Sequence, residues 1–172
     1  MSKLLILGSI AFDQIETPFG KSNSIMGGSA NYIALAAAQF EIPAAVVSIV
    51  GSDYPQEYLN LLTERRIDVS GIEIVQGGKT LFWSGKYHND MNQRDTLDTQ
   101  LNVINDFKPV VPEAFRDAEV LLLGNLHPSL QMDVLNQMTQ RPKLVVMDTM
   151  NYWMNHTWDL LMEVITRVDV LT

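Results

Sequence analysis

Leu4-Leu-Ile-Leu-Gly-Ser-Ile10 is a short, unbroken apolar run that closes on small residues. A strand with one wet face alternates apolar and polar side chains, whereas a strand covered on both faces has no need to. The run therefore reads as a strand in the interior of a parallel sheet. The pattern returns at Ala44–Val50, Glu119–Gly124 and Lys143–Asp148, and Asp169–Thr172 begins another such strand. Helical segments fall between. Ser29–Phe40 is rich in Ala and free of internal Gly and Pro, and Pro43 stops it. Gln56–Arg66 puts Leu59, Leu62 and Arg66 at helical spacing, His127-Pro128 opens a helix to about Gln140, and Thr157–Arg167 is the last. Strands alternating with helices imply right-handed βαβ crossovers. The expected fold class is α/β, built on an open, mostly parallel sheet.

One stretch interrupts the alternation. Gln14–Thr17 reads as extended and Pro18-Phe-Gly20 as a turn. Ile67–Val75 alternates as a half-exposed strand does, Gly77-Gly78 reads as a hairpin turn, and Lys79–His88 as a polar, aromatic strand. Asn89–Asn105 is polar and shows few strong elements. The strand at Asp169–Thr172 needs neighbours and a covering helix, so more sheet is expected from the native protein or its assembly.

Composition narrows the function classes. The 172 residues are 47% apolar, enough for the core of one α/β domain. A net charge of -8 speaks against nucleic acid as a partner, because such binding uses cations to displace phosphate counterions. With no cysteine there is neither a disulfide framework nor a thiolate metal site. No segment resembles an export signal, and no apolar run approaches the roughly 20 residues that span a bilayer. The membrane is not an expected partner, and the cytoplasm is the expected location.

Ligands of open parallel sheets bind beyond the carboxyl ends of the strands. Ser9 with Asp13, Gly124 with Asn125, and Asp148 with Asn151 fall there. Asp13 offers a carboxylate able to accept from two neighbouring hydroxyls; position alone serves a loop residue or helix cap equally well. Gly27-Gly28 before Ser29 and Asn31 lets backbone approach a ligand at a helix N-terminus, and also suits an ordinary helix start. Asp148 closes a strand, where it can approach a phosphate-bound metal or cap a helix. Alternation puts Trp83 and Lys86 on opposite faces of their strand; stacking on a sugar or base and packing at a sheet or dimer contact are both open to Trp83. His88, His127 and His156 lack metal spacing, so no direct metal ligand set is expected. The absence of G-x-G-x-x-G after the first strand, and of any P-loop, sets aside a nicotinamide-binding oxidoreductase.

Together these residues resemble the ribokinase-like (PfkB) carbohydrate kinase family along nearly the whole chain, as the N-terminal part of one such domain over 1–172. Leu5–Asp13 resembles that family's first strand and sugar-binding aspartate. Gly27–Asn31 resembles its Gly-Gly-x-x-x-Asn signature with one residue fewer, and Val50–Asp53 its Val-Gly-x-Asp turn. Ile67–Gly71 resembles the segment leading to its lid strands, and Val168–Thr172 the strand before its Asn-x-x-Glu segment. Ala11–Gly20, Arg94–Leu97 and Met147–Asn151 look closer to one ribokinase-like subgroup without an assigned substrate. The resemblance implies a Rossmann-like, doubly wound, mostly parallel sheet in an α/β/α sandwich with a small β lid, at about residues 14–23 and 73–88, that closes over the substrate and often makes a dimer contact, so a homodimer through lid strands is expected. It implies sugar binding by Asp13, Gly27, Gly28 and Asn31, lid contacts from Trp83 and Lys86, and a phosphate or metal side at Asp148 and Asn151. ATP and Mg2+ are the implied donor and cofactor.

The chain also departs from the family pattern. Gly124-Asn125-Leu126 stands where ribokinases proper carry Gln-Leu-Glu, so a substrate carboxylate is missing, and Asp148-Thr-Met-Asn151 stands for Asn-Pro-Ala-Pro. The Gly-Ala-Gly-Asp motif, which supplies the family's anion hole and base, does not occur, so no catalytic residue is expected here. The implied full-length activity is transfer of the ATP γ-phosphoryl group to a hydroxyl of a sugar or nucleoside. The 172-residue chain would hold the acceptor-binding half and be inactive alone. The alternative is a non-catalytic sugar- or nucleoside-binding or dimerisation module.

Overall fold

Residues 3–172 are described by a computed structural model. The opening apolar run forms β1 (Leu4–Leu7), with all four residues buried. It is the fourth of six parallel strands, in the order β11-β10-β9-β1-β5-β6. The others are β5 (Ala44–Gly51), β6 (Ile67–Val75), β9 (Val120–Leu123), β10 (Leu144–Met147) and β11 (Val170–Leu171). α1 (Ser29–Ala38) and α2 (Gln56–Glu64) follow β4 and β5, α3 (Pro128–Gln137) follows β9, and α4 (Asn151–His156) and α5 (Trp158–Ile165) lie between β10 and β11.

Side chains of β1 alternate between two cores. Leu4 and Ile6 pack with Ala30 and Ala34 of α1 and Leu59 and Leu62 of α2. Leu5 and Leu7 pack with Val134 and Leu135 of α3 and Leu161 and Val164 of α5. The result is the expected α/β/α sandwich. Each fully buried Leu or Ile contributes about 1.5–3 kcal/mol relative to exposure, which is why the apolar runs lie in this sheet. Among the described residues no helix is long and apolar enough to cross a membrane.

The second sheet is built from β2 (Ala11–Thr17), β3 (Gly20–Lys21), β4 (Ile25–Gly27), β7 (Leu81–Tyr87) and β8 (Arg94–Gln100). β7 runs parallel to β2 and antiparallel to β8, while β3 and β4 fold back on the other edge of β2. Three expectations need correction. Gly77-Gly78 is not a hairpin turn: β6 stays in the first sheet beside β5, and the chain then crosses to the second. The hairpin partner of β7 is β8, in the polar stretch 89–105 that reads as weak; its turn closes with His88 N–H donating to the Gln93 carbonyl at 2.9 Å. The strands expected at about 14–23 and 73–88 accordingly become 11–17, 20–21, 25–27, 81–87 and 94–100. Residues 73–75 end β6, because Ile74 and Val75 still pair with Val50 and Gly51.

A partly buried hydrogen-bond cluster joins the two sheets. Asp53 Oδ1 accepts from Thr80 N–H at 2.8 Å and from Thr80 Oγ1 at 2.7 Å. Thr80 Oγ1 in turn accepts from Gly51 N–H at 3.0 Å. The Val50–Asp53 turn thereby ties the end of β5 to the start of β7.

Candidate functional site

The strand order creates a switch point. From β1 the chain runs out through β2–β4 and returns through α1 to β5 on one side; β9 occupies the other edge of β1 and leads through α3 to β10. α1 covers one face and α3 the other. The loops leaving β1 and β9 therefore part beyond Leu7 and Leu123, opening the crevice in which such sheets take ligands.

Asp13 reaches this crevice from β2, opposite Trp83 of β7 and Ile25 of β4. Its carboxylate lies against Gly27, where an added Cβ would collide with Asp13 Cγ and both carboxyl oxygens. Burial raises the Asp13 pKa above the ordinary carboxylate value, with no opposing charge or hydrogen bond. A half-buried carboxylate without a partner is one that a ligand hydroxyl can satisfy.

Gly28 turns the chain into α1 with φ 90°, and a Cβ there would strike the Ser9 carbonyl, so only glycine fits. Ser9 and Ser29 staple this turn to the end of β1. Ser29 N–H donates to Ser9 Oγ at 3.2 Å, Ser9 N–H to Ser29 Oγ at 3.3 Å, and Ala30 N–H to the Ser9 carbonyl at 3.0 Å. Ser29 Oγ is wedged between Gly8 and Gly124, 2.7 Å from where either would carry a Cβ.

Asn31 is not at the open surface. It is fully buried, and its Nδ2 donates to the Gly27 carbonyl at 2.6 Å and to Tyr54 Oη at 3.1 Å. Burial pushes the Tyr54 phenol up to about 12. The helix turns Asn31 inward beneath Gly27 and leaves its neighbour Tyr32 exposed. Asn31 therefore holds the turn from below.

On the β9 side, Gly124 N–H donates to the Leu7 carbonyl at 2.7 Å. Gln131, fully buried, donates from Nε2 to the Gly124 carbonyl at 3.0 Å and the Asp148 carbonyl at 3.1 Å, tying the ends of β9 and β10 together. Asn125 Oδ1 accepts from Trp153 Nε1–H at 2.8 Å. Trp153 stands edge-on to His127, ring centres 5.2 Å apart, and His127 caps α3 by accepting from Ser129 N–H at 3.2 Å.

Asp148 follows β10 and donates its own N–H to the Leu123 carbonyl at 2.8 Å. Burial raises its carboxyl pKa, partly offset by the Thr149 backbone N–H. Asn151 begins α4 and is exposed. Mg2+ is usually held by one or two carboxylates together with substrate phosphates. Among the described residues no three His, Cys, Asp or Glu side chains gather to hold a metal. Asp148 alone does not make a metal site.

In the second sheet, Trp83 lies across Gly85, with Arg94 5.7 Å over its ring, beside Asp13. Lys86 points to the opposite face and pairs with Glu16 at 2.6 Å, away from Asp13. Sequence reasoning missed Thr80, Gln131 and Trp153, and for His127 noted only the helix start and the absence of metal spacing. Gln131 carried a signal: it is a polar residue in the apolar stripe Leu130, Val134, Leu135.

A doubly wound α/β sheet accompanied by a small second sheet is the fold this chain shares with solved ribokinase-family structures. The chain belongs to the pfkB family of carbohydrate kinases, which it matches over residues 1–172. A cytidine kinase from Thermococcus kodakarensis is 28% identical over 180 residues, covering 99% of this chain and 61% of that protein. The nucleoside kinase of Methanocaldococcus jannaschii, an archaeal member of the ribokinase family, superposes with a TM-score of 0.78 at 17% identity, covering 99% of this chain and 60% of that one. A putative ribokinase II from E. coli in complex with ATP and Mg2+ gives 0.75 at 16% identity, over 99% and 61%. The chain thus spans about three fifths of the length of these relatives.

Proposed function

We propose that the protein transfers the γ-phosphoryl group of ATP to a hydroxyl of a sugar or nucleoside, and that these 172 residues hold the acceptor. The observation that carries this reading is the Asp13 carboxylate, half-buried, unpaired and resting on Gly27 at the switch point. An ionised carboxylate only accepts hydrogen bonds, so it selects a ligand rich in hydroxyls. Gly27 and Gly28 let the ligand come close to backbone, with Asn31 supporting them. Trp83 flanks Asp13 as a wall of the second sheet, which acts as a lid. Lys86, turned away and bound to Glu16, stays outside the site.

The kinship with kinases, and a related fold that carries ATP with Mg2+, support ATP as the donor. Mg2+ neutralises charge on the transferring phosphates when bound; Asp148 and Asn151 lie on the side from which they would approach. The fully exposed edge strand β8 suits a homodimer through the second sheet, and the expected location is the cytoplasm. No residue among these 172 is assigned as the base, because the Gly-Ala-Gly-Asp motif is missing from them.

The test is a kinase assay on the natural full-length protein with labelled ATP and a panel that includes ribose and cytidine. Phosphorylation of any member, abolished by Asp13→Ala, supports the reading. A full-length protein that binds sugar or nucleoside yet transfers no phosphate would replace it with the binding-module alternative. The 172-residue chain alone is expected to transfer none.

A further inference from the structure

The β9 side of the crevice presents a chemistry opposite to that of Asp13. The indole N–H of Trp153 can only donate, so its 2.8 Å contact fixes the Asn125 amide with Oδ1 toward the indole. The two N–H groups of Asn125 Nδ2 are left free on a partly exposed residue. His127 is fixed in the same way. The backbone N–H of Ser129 can only donate, so Nδ1 is the acceptor and the ring proton of the neutral imidazole sits on Nε2. The Ser129 hydroxyl, 2.8 Å from Nδ1, reinforces that tautomer by donating as well. Trp153 packs edge-on to the imidazole and is itself held by Asn125, so the three side chains orient one another.

This donor rim is continuous with the carboxylate. Asp13 lies on Gly27; Ser29, two residues further on, is wedged between Gly8 and Gly124; Gly124 leads directly into Asn125. Asp13 offers only acceptors, whereas Asn125 Nδ2 and His127 Nε2 offer donors on the β9 side, beside the Asp148 carboxylate. A ligand that satisfies both carries hydroxyls at one end and carbonyl or ring-nitrogen acceptors at the other. That is the polarity of a nucleoside, with its ribose diol and its base. Resting on the acceptor-site reading of Asp13 above, we propose that Asn125 and His127 are specificity-determining residues that read the acceptor edge of a nucleobase while Asp13 holds the ribose.

The test measures equilibrium binding of cytidine and of ribose to the full-length protein and two near-isosteric variants. Asn125→Asp keeps the oxygen that Trp153 needs but removes both free donors. His127→Asn keeps an acceptor at the α3 cap, so the helix start survives, but its shorter amide cannot replace the ring N–H. Each variant is expected to bind cytidine about tenfold more weakly, the worth of one good hydrogen bond, with ribose binding unchanged. Unchanged cytidine affinity overturns the proposal. An equal loss for ribose and cytidine overturns it too, because the residues would then only position the site. If the unsubstituted protein binds ribose but not cytidine, base reading is overturned while the kinase reading stands. If Asp13→Ala leaves both affinities intact, the acceptor-site reading itself has failed.

Discussion

All eight residues of β5 are buried, and all seven of β8 are exposed. Ala44-Ala-Val-Val-Ser-Ile-Val-Gly51 is placed by desolvation, between a helix layer on each face. Arg94-Asp-Thr-Leu-Asp-Thr-Gln100 gains nothing from burial. It is held by its backbone ladder to β7 and by the join of Asp53 to Thr80. The contrast separates two tasks. The first sheet supplies a rigid crevice, and the second brings Asp13 and Trp83 to its mouth on a support with little apolar burial. Segments of that kind open at lower free energy than the core that carries them.

Truncating both sheets tests this most severely. Leu121→Ala in β9, fully buried, should destabilise by about 2–5 kcal/mol, whereas Leu97→Ala in β8, 55% exposed, should stay within about 0.5 kcal/mol in urea unfolding. Equal losses would erase the distinction. Thr80→Val should cost about 1–3 kcal/mol, by leaving the buried Gly51 N–H without its acceptor and removing one of the two residue-80 donors to Asp53. Hydrogen exchange should then speed up in β7 and β8 and not in β5; uniform acceleration would show that the sheets open together.

The smallest effect has the opposite sign. Because burial raises the pKa of Asp13, the folded state binds that proton more tightly than the unfolded chain does. Its stabilising contribution is complete below the ordinary carboxylate value and is lost as the pH rises through the raised one. At neutral pH, Asp13→Asn should therefore stabilise the fold, by at most about 1 kcal/mol for a half-buried group, while weakening ribose binding. The gain should vanish in melting curves taken below the ordinary carboxylate range. A variant destabilised at neutral pH would mean that the carboxylate has a structural partner.

The first sheet could be read directly because its strands carry their burial in their composition: Leu4–Leu7 and Ala44–Val50 have no polar face to misplace. The second sheet resisted because its strands are defined by pairing. Arg94–Gln100 has no apolar periodicity at all, and Gly77-Gly78 has the composition of a hairpin but marks a crossing between sheets. In the site, Asp13 and the two glycines were legible because a carboxylate and a glycine pair lie just past a buried strand. That Asn31 is buried against Gly27 and Tyr54 was not legible, because the composition of Ser29–Ala38 does not say which face of the helix is covered. Asn125 was legible beside Gly124, but its links to His127 and Trp153 were not, because the rim is built from one loop and a short helix that only the strand order brings together.

The parallel pairing of β2 with β7 also bears on when the site can exist during synthesis. β2 leaves the ribosome well before its ladder partner, which follows only after α1, β5, α2 and β6. The central strand β1 likewise waits for β9 to cover one of its edges. Asp13 is thus translated early and assembled late, leaving an apolar strand and an open edge exposed on the nascent chain. Codon-level pauses or chaperone contacts that protect residues 4–17 would affect yield without touching anything in the finished crevice.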